Sequence, residues 1–145
     1  MAIALGADDP EVYFYLAWSI ITANEDNVGA SQAAIDKAVG EAQAAIDKAV
    51  SLDSKDPYIQ SLAGQIAYLK KDYQAALQHL NAAVAIWPDM VQARENLSAT
   101  YRALGERDKS AGELKAVLRI KQQSRTADQT PPFPIKSLLF TIRPP

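Results

Sequence analysis

The chain has no cysteine and a single histidine, His79, among its 145 residues. That count alone excludes disulfides, thiol nucleophiles and zinc sites built from cysteine and histidine. Absence of cysteine suits an oxidising and a reducing compartment equally, so localisation stays open. Long hydrophobic runs are missing as well. The longest, Val12 to Ile21, is about half of what a membrane-spanning helix needs. Residues 1–7 carry neither the charged nor the apolar region of a secretion signal. Phosphate-cradling glycine loops, nucleophile elbows and metal-ligand spacings are absent. His79 stands mid-helix between Gln78 and Leu80 with no acid partner in prospect, and reads as a structural residue rather than a base or ligand. The acid pairs Asp8-Asp9, Glu25-Asp26 and Asp53 with Asp56 fall at turns, where helix capping accounts for them. No catalytic residue, metal or cofactor is therefore expected. Asn96-Leu97-Ser98 has the letters of a glycosylation acceptor but falls inside a predicted helix and is read as chance.

Charge is nearly balanced overall, at −2, but unevenly spread. Residues 1–35 hold five acids and no lysine or arginine, residues 36–90 seven acids and five bases, and residues 91–145 five acids and ten bases. Such a gradient along a stack suits head-to-tail contact between copies or with a preceding repeat, but exposed charges are screened beyond about 8 Å in physiological salt, and ordinary solvated faces are the favoured account. Nucleic acid is not expected as a partner, because Glu95, Glu106, Asp108 and Glu113 interrupt the basic residues of the last third.

What the chain does have is a helical repeat. In residues 57–90, PYIQSLAGQIAYLKKDYQAALQHLNAAVAIWPDM, Asp56-Pro57 opens one helix, Asp72-Tyr73 makes a turn and Pro88 closes a second helix. Gly64 lies mid-way along the first helix, and Ala76 and Ala83 flank Leu80 in the second. Thirty-four residues on, Leu97, Ser98, Tyr101, Gly105, Ser110, Leu114 and Val117 stand at matching places. Earlier, Leu16 and Ala17 match the first helix and Ala42, Ile46 and Ala49 the second. On these residues the chain resembles the tetratricopeptide repeat family from residue 10 to about residue 122.

The resemblance implies an all-α, right-handed α-solenoid of about three helix pairs with a non-helical C-terminal tail. The expected divisions are a remnant of a preceding repeat at 1–9, a unit with a lengthened helix at 10–56, units at 57–90 and 91–123, and a proline-rich linker with an apolar tail at 124–145. Residues 2–10 have the form of Ala83 to Pro88, the close of a second helix, so Met1 is expected to be a new start placed inside a longer array. The first unit is irregular because Ala33 to Val39 recurs identically as Ala44 to Val50, eleven residues on. Eleven residues are almost three helical turns and add about 16 Å, which keeps Ile35, Val39, Ile46 and Val50 near one face. A helix from about Ser31 to Leu52 is expected, overhanging a first helix of Pro10 to Ala23, with Gly40 at the junction.

In this family the first helix of each pair lines the concave side. That places Glu11, Phe14, Trp18, Ile21 and Thr22 there from the first unit, Tyr58, Ser61, Gln65, Tyr68 and Leu69 from the second, and Gln92, Glu95, Ala99, Arg102 and Ala103 from the third. The expected partner-binding residues are Phe14, Trp18, Ile21, Tyr58, Gln65, Tyr68, Leu69 and Arg102. Large flat side chains offer much contact area at small entropic cost, so the surface suits a peptide or protein segment, extended or helical, of apolar character. Some family members clamp a terminal carboxylate with basic and amide groups. Phe14, Trp18, Ser61 and Gln65 occupy the places where such a clamp needs those groups, which disfavours it here.

The tail carries Phe133, Ile135, Leu138, Leu139, Phe140 and Ile142 behind a polar, proline-rich stretch from Ser124 to Pro134. Three docking places are open to it: the groove, the overhang around Ile35 and Val39, and the face of the last helix bearing Ala111, Leu114, Val117 and Leu118. The last is favoured, because a solenoid end needs a cover. The expected function is a non-catalytic protein–protein interaction module. The alternative is a structural segment of a larger multidomain protein that assembles copies through the long helix and tail.

Overall fold

The computed structural model describes residues 9–129 of the chain. Six helices succeed one another in this stretch: α1 (Pro10–Glu25), α2 (Gln32–Leu52), α3 (Pro57–Leu69), α4 (Tyr73–Ile86), α5 (Val91–Ala103) and α6 (Arg107–Gln129). There is no strand among the described residues. Each odd-numbered helix packs on the even-numbered helix after it, and the pairs stack through α2 on α3 and α4 on α5, with α3 also touching α5. This is an all-α solenoid of three helical hairpins.

Local chemistry sets the boundaries. Asp9, Ser31, Asp56 and Asp72 sit at N-caps, their side chains accepting from the first-turn amides of Glu11, Ala34, Tyr58 and Ala75. Pro10 and Pro57 each come after such an aspartate at the first helical position, where no amide hydrogen is needed. Met90 opens α5 without any side-chain cap.

The thirty-four-residue period is visible in the backbone itself. After α3, Lys71 N donates to Tyr68 O at 2.9 Å and Asp72 N to Ala67 O at 2.9 Å; after α5, Gly105 N donates to Arg102 O at 3.0 Å and Glu106 N to Tyr101 O at 2.9 Å. Both turns place their central residue in the left-handed region, Lys71 at φ 64° and Gly105 at φ 81°. The second helices end alike, with Asp53 N on Ala49 O and Trp87 N on Ala83 O.

Two apolar clusters run through the stack. The first joins Ala17 and Ile21 of α1, Val39, Ala42 and Ile46 of α2, and Ile59, Leu62 and Ile66 of α3. The second joins Ala67 of α3, Ala76, Leu80 and Ala83 of α4, and Met90, Ala93 and Leu97 up to and along α5. As the eleven-residue step requires, Val39 and Ile46 are buried in the first cluster, with Ile35 and Val50 packed against it.

Two expectations need correction. The overhang does not display its apolar residues: Val39 is buried and Ile35 is half-buried, because α1 extends to Glu25, beyond the expected Ala23, and runs beside the extra turns of α2. The last helix does not stop near Gln123 but continues to Gln129. Ser124 to Gln129 holds neither proline nor glycine, and the first residue that opposes a helix is Pro131. No helix among the described residues is long and apolar enough to cross a membrane.

Candidate interaction surface

The first helices of the three pairs bring a set of aromatic and amide side chains to one cleft. Phe14 and Trp18 lie one turn apart on α1; Tyr58, Ser61, Leu62 and Gln65 occupy one side of α3; Met90 and Gln92 close the cleft at the start of α5. The accessible volume is about 40 Å³, room for a few water molecules, so the cleft is a narrow seam beside the rings. Trp18 is 49 % exposed and Tyr58 53 % exposed. Phe14 meets Tyr15 edge-on at 5.2 Å between centroids, Tyr15 meets Trp18 at 6.4 Å, and Tyr58 meets Trp87 at 5.7 Å. These edge-on contacts hold the rings in place without hiding them from water. A second hollow of about 130 Å³ adjoins the seam, lined by Glu11, Phe14, Tyr15, Asp56, Tyr58 and Ile59, so Phe14 and Tyr58 form walls of both. Asp56 is committed to capping α3, whereas Glu11 is exposed. Gln65 Nε2 donates to Glu25 Oε2 at 3.4 Å, tying α3 to the end of α1.

Of the expected binding residues, Phe14, Trp18, Tyr58 and Gln65 meet in this cleft. Ile21 does not; it is 2 % exposed and belongs to the first core cluster. Ala17 and Ile21 are one turn apart on the face that α1 turns toward α2, so the side chain is committed to the core. Tyr68 is half-buried, packed on the second core cluster and edge-on to Tyr73 at 5.6 Å. Leu69 lines a different cleft, about 320 Å³, with Ile35, Val39 and Lys70. Arg102 is exposed in the last turn of α5, outside the seam. The tail residues Phe133, Ile135, Leu138, Leu139, Phe140 and Ile142 lie outside the described residues.

Sequence reasoning missed Trp87, Tyr15, Leu62 and Met90 at this surface. Trp87 had a usable signal: it occupies the C-cap of α4, where a large ring next to Pro88 cannot enter the core. Met90 and Leu62 had none, because apolar residues at those places read equally well as pure core, where both are also buried.

The lone histidine is held away from this surface. Gln60, itself buried, donates from Nε2 to Ser54 O at 2.7 Å. Its Oε1 therefore faces His79 Nδ1 at 2.8 Å and accepts from it, so the proton of the neutral ring sits on Nδ1. Burial lowers the His79 pKa, opposed by the charges of Asp47 and Asp72. Among the described residues, no group of three histidine, aspartate or glutamate side chains could hold a metal ion.

Helical hairpins stacked in this way define an α-solenoid repeat protein. The tetratricopeptide repeat family model matches residues 67–128, so this stretch, from the end of α3 through α6, carries tetratricopeptide repeats. Three solved structures are similar in fold. "Crystal structure of MamA" has 20 % identity and a TM-score of 0.68, covering 83 % of this chain and 63 % of that one. "Crystal structure of MamA protein" has 20 % identity and a TM-score of 0.67, covering 83 % and 58 %. "MamA MSR-1 C2" has 12 % identity and a TM-score of 0.65, covering 84 % and 63 %. The chain thus spans less than two thirds of the length of each. No curated protein sequence matches it.

Proposed function

We propose that this chain is a non-catalytic module that binds an apolar segment of a partner protein across the seam formed by Phe14, Trp18, Tyr58 and Gln65. The observation that carries the reading is the exposure of Trp18 and Tyr58 on opposite sides of the seam, each held by an edge-on neighbour. Burying two such rings on binding supplies contact area at little entropic cost, the usual energetics of an interface anchor. Gln65 and Gln92 at the edges can meet main-chain groups of the bound segment, and the scarcity of cations at the seam argues against an acidic ligand.

The test is a selection from a phage-displayed random peptide library, then titration of the selected peptides onto the chain and onto Trp18→Ala/Tyr58→Ala. The double variant should weaken binding by about ten-fold or more while its helical circular dichroism stays unchanged. Equal affinity of parent and variant would overturn the placement of the site.

A further inference from the structure

The repeat period allows each residue of α6 to be compared with its counterpart in α4, thirty-four positions earlier. Leu80 of α4 is completely buried, in one cluster with Ala93 and Leu97 of α5, and Leu77 and Val84 pack against the same cluster. Their counterparts are Leu114, Ala111 and Leu118. Leu114 is 41 % exposed, Leu118 is 62 % exposed and Ala111 is exposed. Val117, the counterpart of Ala83, remains buried, so the open face is narrower than sequence alone indicated. The same amphipathic pattern is thus covered in one helix and bare in the other: α4 has α5 packed on it, whereas α6 is the last helix of the described residues. Leu114 and Leu118 stand in water where their repeat equivalents are fully buried, at Leu80, and half-buried, at Val84, so both have burial free energy still to gain.

We infer that this face is covered in cis by the chain's own segment Phe133 to Phe140. Length permits it. Leu118 and Leu114 lie eleven and fifteen residues before Gln129, which is about 16 and 22 Å back along α6. A segment returning from Gln129 with about 3.3 Å per residue reaches about 13 Å by Phe133 and about 30 Å by Leu138, which brackets both leucines. Sequence permits it too: Pro131, Pro132 and Pro134 oppose continuation of the helix, and the segment they introduce supplies Phe133, Ile135, Leu138, Leu139 and Phe140. The segment takes the place that the first helix of a next repeat would hold, and leaves the seam on α1 and α3 free for a partner.

The absence of cysteine makes the test clean. Leu118→Cys is introduced into the full chain, and its rate of reaction with a soluble maleimide is measured, with Val28→Cys, a position 95 % exposed, as reference. In the capped state the thiol at 118 reacts about ten-fold or more slowly than the thiol at 28. Adding Leu138→Ser, Leu139→Ser and Phe140→Ser restores the fast rate, and dilution of the protein changes nothing. A thiol at 118 as reactive as that at 28 overturns the inference. So does slow reaction unaffected by the serine substitutions, which means another cover, and so does protection lost on dilution, which means a second copy. Repeating the measurement at Leu114→Cys guards against a local disturbance by the first substitution.

Discussion

Gly64 of α3 lies so close to Leu80 of α4 that a β-carbon on the glycine would stand 2.5 Å from Leu80 Cγ and 2.8 Å from its Cδ2. Ala76 O, 3.3 Å away, closes the remaining side. Leu80 is fully buried and cannot swing aside. Gly64→Ala should therefore lower stability by about 1–3 kcal/mol, despite the better helix propensity of alanine, because overpacking outweighs a propensity gain of about 1 kcal/mol. Urea unfolding monitored by circular dichroism checks this; a variant as stable as the parent would show that the two helices can part at no cost.

The next hairpin solves the same crossing differently. Ser98 and Ser110 stand where Gly64 and Ala76 stand, and their hydroxyls share a buried hydrogen bond of 2.8 Å. Either Ser98→Ala or Ser110→Ala alone strands one buried hydroxyl and should cost about 1–3 kcal/mol, whereas the double alanine variant removes both and should cost less than the sum. A double-mutant cycle by chemical denaturation measures the coupling, and strictly additive losses would contradict it.

The two tight turns predict opposite effects of one exchange. Lys71 pays for a left-handed backbone that Gly105 adopts freely. Lys71→Gly should stabilise by about 0.5–1 kcal/mol, the left-handed penalty less the extra entropy of an unfolded glycine, and Gly105→Lys should destabilise by a similar amount. Melting temperatures of the two variants, compared with the parent, give the signs directly.

Acidification bears on His79. Its pKa is lowered in the fold by burial, so below about pH 6.5 the unfolded chain binds a proton that the folded chain resists. Stability should be fully present above that pH and should fall as the pH drops toward the folded pKa. His79→Gln should flatten this part of the profile while leaving the carboxylate-driven loss at lower pH. Thermal melts across the interval test it, and an unchanged slope in the variant would assign the acid sensitivity elsewhere.

Much of the architecture was legible in the chain because helix starts, turns and small crossing residues are local chemistry. Asp56-Pro57, the Asp72 cap and the spacing of Gly64 with Ala76 and Leu80 mean the same thing in any helical hairpin. The end of α6 is not legible in the same way, because the stretch up to Gln129 is polar yet holds neither proline nor glycine, the residues that oppose a helix strongly.

By itself, the sequence determined the class of fold, the thirty-four-residue period, the lengthened α2 and the lack of cysteine chemistry. Tertiary structure alone decided which apolar residues are core and which are surface. Ile21 and Trp18 are three residues apart on one helix and both large and hydrophobic, yet one is sealed in the core and the other is half exposed. A repeat pattern specifies the rows of a helix but not how far its neighbours rotate about it. Burial depends on that rotation, and it is set only when all the packed faces are present together.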